Sequence, residues 1–379
     1  MRKTLQLLTA LALALPMTSF VPATTTSTPA QALAPQTQSP QTQEIGTEES
    51  LSVRVGGNSR TTAIERPGSG YVKIHFTDLR ILPGDVLTVS NPDGTEKYTY
   101  TRDLRSSLTA TPDATGFWAM SITGEKAVVS VKNPLSRVRI DKITRGYTEA
   151  EMSAQPSVQS ICGTNDYKDA VCYQSSNPTE FGKTASVAKL LRNGSSLCTA
   201  WRVGPNNRLL TNNHCFTSTA GIEVWFNYQC PTCGGTASAP TTKVLAAQVL
   251  KTSAPLDYTL FTVNNFAAIS SFGYLELDAR VPAVGEEMYV IGHPAGKLKK
   301  LSLRDNTNGG GYCIVRGVRV DGSSSQSDIS YMCDTEGGSS GSPVLSRRTH
   351  KVIGLHHFGG CPNQGVRIDL VAAQINSLL

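Results

Sequence analysis

The first 161 residues contain no cysteine, although the chain has nine. That absence excludes a disulfide framework for the amino-terminal part and sets a domain boundary near Cys162, where the cross-linked unit begins. No run of five or more basic residues occurs, and 35 Lys and Arg against 29 Asp and Glu leave a net charge of only +6. So dilute a charge excludes a nucleic-acid surface. Past the first residues no apolar run is long enough for a stable membrane span. The Cys230–Cys233 run (CPTC) lacks two further well-placed ligands, so neither a metal nor an organic cofactor is expected.

What is there begins with Arg2 and Lys3, an apolar run from Leu5 to Leu15 and then small residues, the order of a secretory signal peptide. Residues 1–34 are read as that leader, with cleavage after Ala23, Ala32 or Ala34, and the protein is expected to be secreted: extracellular, or periplasmic in transit. Residues 35–50, rich in Thr, Ser, Pro and Gln, read as a flexible linker. From 51 to 145 short alternating runs such as Tyr71–Phe76, Asp85–Ser90 and Ala127–Lys132, split by PGD, NPDG and TGEK turns, predict a small β-sandwich. A polar stretch, 146–161, reads as a second linker. Residues 162–379 return to short strands between Gly, Pro and Asn turns and close on one helix, Leu370–Leu378. The expected class is all-β, a pair of barrels behind a sandwich.

Three motifs stand in the order His, Asp, Ser: His214 in TNNHC, Asp257 opening the apolar strand DYTLFTV, and Ser340 in EGGSSGSP. A serine hydroxyl attacks only when a base takes its proton, and histidine serves when a buried carboxylate fixes its tautomer. Gly338 and Gly341 permit a sharp turn, so that the N–H groups of Gly338 and Ser340 converge on the oxygen that becomes negative. Each motif alone reads as a structural histidine or an ordinary turn; the set in this order predicts a serine endopeptidase acting on protein or peptide substrates through an acyl-enzyme. A catalytically silent binding protein on the same fold is the rival, as is a reading in which residues 51–145 carry the main role as an adhesion or targeting module.

With CTAWRVG before the histidine, VWFNYQ after it, IGHP at Ile291–Pro294 and TEGGSSGSP around the serine, the segment Cys162–Leu379 resembles the trypsin-like peptidases, most closely the bacterial lysyl endopeptidases. The resemblance implies a chymotrypsin-like pair of six-stranded antiparallel barrels with a carboxy-terminal helix and the site in the cleft between them. It also implies the pairs Cys198–Cys215, Cys162–Cys361 and Cys172–Cys233, with Cys313 and Cys333 as a further pair and Cys230 left over.

Departures from that family bear on activation and preference. The residue before the serine is Ser339, not the aspartate that pairs with a newly cut amino terminus in animal trypsins, so blocking by the amino-terminal domain, an intramolecular inhibitor or chaperone, is the expected substitute. Asp334 falls where trypsin has its pocket-floor aspartate, and Gly359 and Gly365 where glycines keep the pocket open, which predicts cleavage after Lys or Arg. Pro362, Asn363 and Gln364 replace the aspartate of lysyl endopeptidases, while Thr335 and His356 resemble the pair that binds an acidic side chain in bacterial glutamyl endopeptidases. Cleavage after Glu or Asp is therefore the alternative. Glu336 and His357 read as lining or exposed residues.

Overall fold

The computed structural model describes residues 42–155 and 160–379; the expected leader lies outside the described residues. Strands dominate throughout, as the alternation predicts. In Lys126–Val131 every second residue, Ala127, Val129 and Val131, is buried, the period of a strand with one face on a core.

The amino-terminal part is a sandwich of two antiparallel sheets. One pairs Thr61–Glu65, Lys126–Val131, Leu87–Ser90 and Lys97–Tyr100; the other is built on Gly46–Gly56, Arg137–Gly146 and Tyr71–Arg80. Their inner faces enclose Val72, Ile74, Phe76, Phe117, Ile140 and their neighbours. Structure extends into both stretches read as linkers. Gln43–Glu44 and Gly46–Gly56 are strands, and Glu149–Ala154 is a helix capped by a reciprocal Thr148–Glu151 pair, a capping box that satisfies two otherwise unbonded N–H groups.

The next six strands, Val187–Arg192, Ser196–Arg202, Leu209–Thr211, Ile222–Phe226, Thr242–Ser253 and Tyr258–Val263, form a closed barrel. Closure follows because Ser196–Arg202 pairs with both Val187–Arg192 and Leu209–Thr211. The second half is an eight-stranded sheet, two strands more than expected, running from Lys168–Asp169 through Met288–Gly292, Pro343–Ser346, Val352–Phe358 and Asn363–Arg367 to Val315–Val320. Backbone bonds from Met288 N–H to Cys313 O (2.8 Å) and from Val315 N–H to Glu286 O (2.9 Å) draw the edge strand Val315–Val320 back toward Met288–Gly292. The helix Ile368–Ile375 buries Ile368, Val371, Ala372 and Ile375, the i, i+3, i+4, i+7 stripe of an amphipathic helix. Trp201 and Tyr258 of the first barrel share one apolar cluster with Tyr289, Ile291 and Leu355 of the second.

Sandwich and first barrel are joined by buried charge. Lys73 pairs with the fully buried Glu223; Lys243 Nζ bonds Glu96 at 2.6 Å and Ser121 O at 2.7 Å, and Trp225 Nε1 donates to Glu223 at 2.8 Å. Opposite charges and donors surround each ion, the condition under which burying it is tolerated.

Candidate active site

Strand register brings His214 and Asp257 together. Thr211 pairs with Thr259, so the chain leaving one strand and the chain entering the other meet a few residues on. Asp257 holds a left-handed backbone (φ 44°), a conformation uncommon outside glycine that aspartate tolerates better than most residues. Asn212 Nδ2 donates to its carbonyl at 2.8 Å. One carboxylate oxygen accepts the His214 N–H at 2.9 Å and the other meets His214 Nδ1 at 2.8 Å. Both imidazole position and tautomer are thereby set: Nδ1 carries the proton, leaving Nε2 as the base.

Burial alone would raise the Asp257 carboxyl, but hydrogen bonds from His214 and His357, with their charges, hold it well below the usual carboxylate range. Asp257 thus stays ionised throughout the neutral range. His214 Nε2 has no hydrogen-bond partner among the described residues. No bond joins it to Ser340 in this structure, and in unliganded enzymes such bonds are commonly long and tighten with substrate.

Ser340 sits on the turn that the glycines permit. Ser339 N–H donates to Glu336 O and Ser342 N–H to Ser339 O, each at 2.9 Å, with Gly338 at φ 93° and Gly341 at φ 87°. A Cβ on Gly338 would lie 2.2 Å from Leu197 Cδ2, and one on Gly341 would lie 2.1 Å from Thr199 O. Only glycine fits either place. The first barrel grips the turn through Thr199, whose N–H donates to Ser340 O at 2.7 Å and whose hydroxyl donates to Gly338 O at 3.0 Å. The Gly337 carbonyl accepts from Ala295 N–H at 2.7 Å and is thus held outward, while the N–H groups of Gly338 and Ser340 bond to no acceptor among the described residues. Two free donors beside a hydroxyl are the arrangement that an oxyanion hole requires.

Sequence reasoning missed the partner behind the aspartate. His357, fully buried, bonds Asp257 through Nδ1 at 3.1 Å and Asp328 through Nε2 at 2.5 Å. With carboxylates on both nitrogens, each nitrogen must donate, which makes the ring an imidazolium. Burial pushes its pKa down, yet the hydrogen bonds to Asp257 and Asp328 and their charges raise it to about 9. A folded value above the free imidazole's ~6.5 stabilises the fold fully below that pH and loses the contribution as pH rises toward 9. Urea unfolding is therefore expected to lose on the order of 2–3 kcal/mol between pH 7 and 9.5. His357→Gln should remove most of that slope; an unchanged slope in the variant would place the charge elsewhere.

The pocket residues are disposed otherwise than their spacing suggests. Asp334, expected at the pocket floor, accepts Cys162 N–H through one oxygen (2.8 Å) and Asp166 N–H through the other (2.6 Å). Its carboxylate anchors the start of the domain. Thr335 is buried and its hydroxyl bonds Asn363 Oδ1 at 3.1 Å. His356 Nδ1 bonds Tyr331 OH at 2.7 Å, and burial, with the charges of His357 and His214, lowers its pKa to about 3. Gly359 follows the Val352–Phe358 strand, half-buried. Gly365 lies within a strand, where a Cβ would come 3.0 Å from Leu355 O, so close packing of strands explains that glycine. Glu336 pairs with Lys297 at 2.9 Å.

Disulfides join Cys162 to Cys361, Cys172 to Cys233, Cys198 to Cys215 and Cys313 to Cys333, and Cys230 is free and buried. Cys198, His214 and Cys215 cluster tightly enough to suggest a metal site, but disulfide sulfurs offer no thiolate.

Comparison with known proteins agrees with this arrangement. Residues 198–355 match the model of the trypsin-like peptidase domain. The chain is 33% identical over 221 residues to the secreted RxLR effector protein 73 of Plasmopara viticola, which covers 55% of this chain and 54% of that protein. It thus spans about half the length of this relative. Among solved structures, a Glu endopeptidase in complex with MPD aligns at a TM-score of 0.41 with 19% identity, over 57% of this chain and 98% of its own. The Rv3671c protease from M. tuberculosis, active form, aligns at 0.40 with 17% identity, over 54% and 85%. The family match thus takes in His214 and Asp257 on one barrel and the glycine-flanked Ser340 on the other, and marks residues 198–355 as a trypsin-like peptidase domain.

Proposed function

We propose that the protein is a secreted serine endopeptidase working through an acyl-enzyme on Ser340. The observation that carries this reading is the pairing of an ionised, buried Asp257 with His214 beside a turn whose two N–H donors stand free. Ser340 Oγ attacks the substrate carbonyl carbon while His214 Nε2 takes its proton. The N–H groups of Gly338 and Ser340 hold the resulting oxyanion, and the amine leaves with the proton from His214. Water, deprotonated by the same imidazole, then releases the acid. Four disulfides support an oxidising destination.

For the residue before the cleaved bond, the Lys or Arg reading rested on Asp334, and its two backbone bonds leave it no free oxygen directed at a substrate. The alternative, cleavage after Glu or Asp, fits better. Tyr331 OH lies 2.7 Å from Nδ1 of His356, whose burial keeps the ring neutral; with the hydroxyl as donor the ring proton sits on Nε2, a donor suited to a carboxylate. Profiling cuts on a peptide library is expected to show acidic residues before the bond. Asp334→Asn should leave that profile unchanged and destabilise the fold by about 1–3 kcal/mol, the cost of two disturbed buried hydrogen bonds. A profile dominated by Lys or Arg that collapses in this variant would restore the first reading.

The amino-terminal domain is proposed as an intramolecular inhibitor or chaperone, the latter supported by its buried Lys73–Glu223 contact with the first barrel. Gln43 and Glu44 pair antiparallel with Leu197 and Ser196, and a Cβ on Gly337 would meet Gln43 Oε1 at 2.2 Å. A peptide running past Leu197 from the oxyanion hole would compete with this strand.

A further inference from the structure

Four arginines share one exposed patch of the sandwich, far in sequence from the triad. Arg139 lies directly across from Arg54, and Arg137 directly across from Arg80. Opposed residues share a face, as do residues two apart on one strand, so all four project from the outer face of the sheet. The intervening Val55 and Val138 point into the core. A bulge holds the pattern in place: between the pairs Arg137–Arg80 and Arg139–Thr77, one residue of the first strand faces two of the second, Asp78 and Leu79. Asp78 takes a left-handed backbone there (φ 49°).

Like charges opposed on adjacent strands destabilise a sheet, and this one contains two such pairs side by side. Compensation is slight. Asp78, itself well exposed, approaches Arg139 only to 4.0 Å, while Arg54, Arg80 and Arg137 form no ion pair or side-chain hydrogen bond among the described residues. Arg139 Nε is buried without an acceptor. Between the side chains lies an open cavity of about 410 Å³, lined also by Asp78, Gly56 and Gly57, and a Cβ on Gly57 would meet nothing within 4 Å, so the backbone there is open to a ligand. Departures from local stability rules of this kind concentrate where a site is built.

We propose that this groove binds an anionic polysaccharide, through sulfate or carboxylate groups seated between the guanidinium forks. Guanidinium pairs such oxyanions bidentately, and cross-strand neighbours about 5 Å apart with i, i+2 neighbours about 7 Å apart make a lattice for successive charges on a chain rather than for one ion. No aromatic residue lines the cavity, which disfavours single-stranded nucleic acid, whose bases need stacking platforms. Nor does a large apolar side chain project there for insertion into a lipid surface. Bound in this way, the sandwich would hold the peptidase on an acidic matrix.

The full chain should be retained on immobilised heparin and on immobilised polygalacturonate at about 0.15 M salt, where exposed charges more than about 8 Å apart are screened. Arg54→Ala combined with Arg139→Ala is expected to weaken binding at least tenfold with a melting temperature equal to or above that of the wild type, since an opposed pair of like charges is removed. Lys168→Ala combined with Arg348→Ala removes equal charge from the peptidase domain and should keep wild-type retention. Retention on heparin alone assigns the site to sulfate groups, and on polygalacturonate alone to carboxylates. Failure of the wild type to bind either polymer, equal losses in the two double variants, or tighter binding to duplex DNA than to either polysaccharide would overturn the proposal.

Discussion

Ser340→Ala is expected to lower turnover by roughly 10⁶ while the protein folds and melts as before. The hydroxyl makes no hydrogen bond among the described residues, whereas the backbone of Ser340, gripped by Thr199 N–H at 2.7 Å, is unchanged by the substitution. What remains is acceleration by binding and by the two N–H donors, which act without the nucleophile. Steady-state hydrolysis of a reactive ester, with a parallel melting curve, measures both parts. Activity within tenfold of wild type would assign the chemistry to another group.

Asp257→Asn carries the second large effect, and here it acts twice. An amide in place of the carboxylate would present N–H where His214 needs an acceptor, favouring the wrong tautomer, so turnover should fall by about 10⁴. The same change takes one of two counter-charges from the buried imidazolium of His357, which retains Asp328. Removing one partner from a buried ion pair costs about 3–5 kcal/mol, so the variant should melt several degrees lower as well. Loss of activity with unchanged stability would mean that His357 is not charged in the folded protein.

The motifs read as a triad depend on local demands: an apolar strand end before His214, an apolar strand after Asp257, and glycines around Ser340. The alternation of Lys126–Val131 likewise announces a half-buried strand in its own residues. Gly46–Gly56 does not. Its outward positions Glu48, Ser50 and Ser52 and its half-buried ones give a polar average that looks like linker, and partners at Arg137–Gly146 stabilise it.

Direction was the other missing quantity. Counting back from Ser340 places Asp334 beside the pocket, but only the approach of the Cys162 and Asp166 backbone decides where its oxygens turn. His357 and Asp328 meet because Leu355 and Asp328 flank the same Val366 on neighbouring strands, a relation no local pattern encodes. Gly365 was read for the space it leaves, whereas the constraint is the approach of Leu355 O.

The most direct test of the account is labelling of the full chain with a fluorophosphonate, followed by peptide mass mapping of the adduct. A single phosphonate on Ser340 is predicted, with labelling slowed strongly in a His214→Ala variant and accelerated when the strand Gln43–Glu44 is removed. An intact, folded protein, with or without that strand, that takes up no label at Ser340 would contradict the reading of this chain as an active serine peptidase.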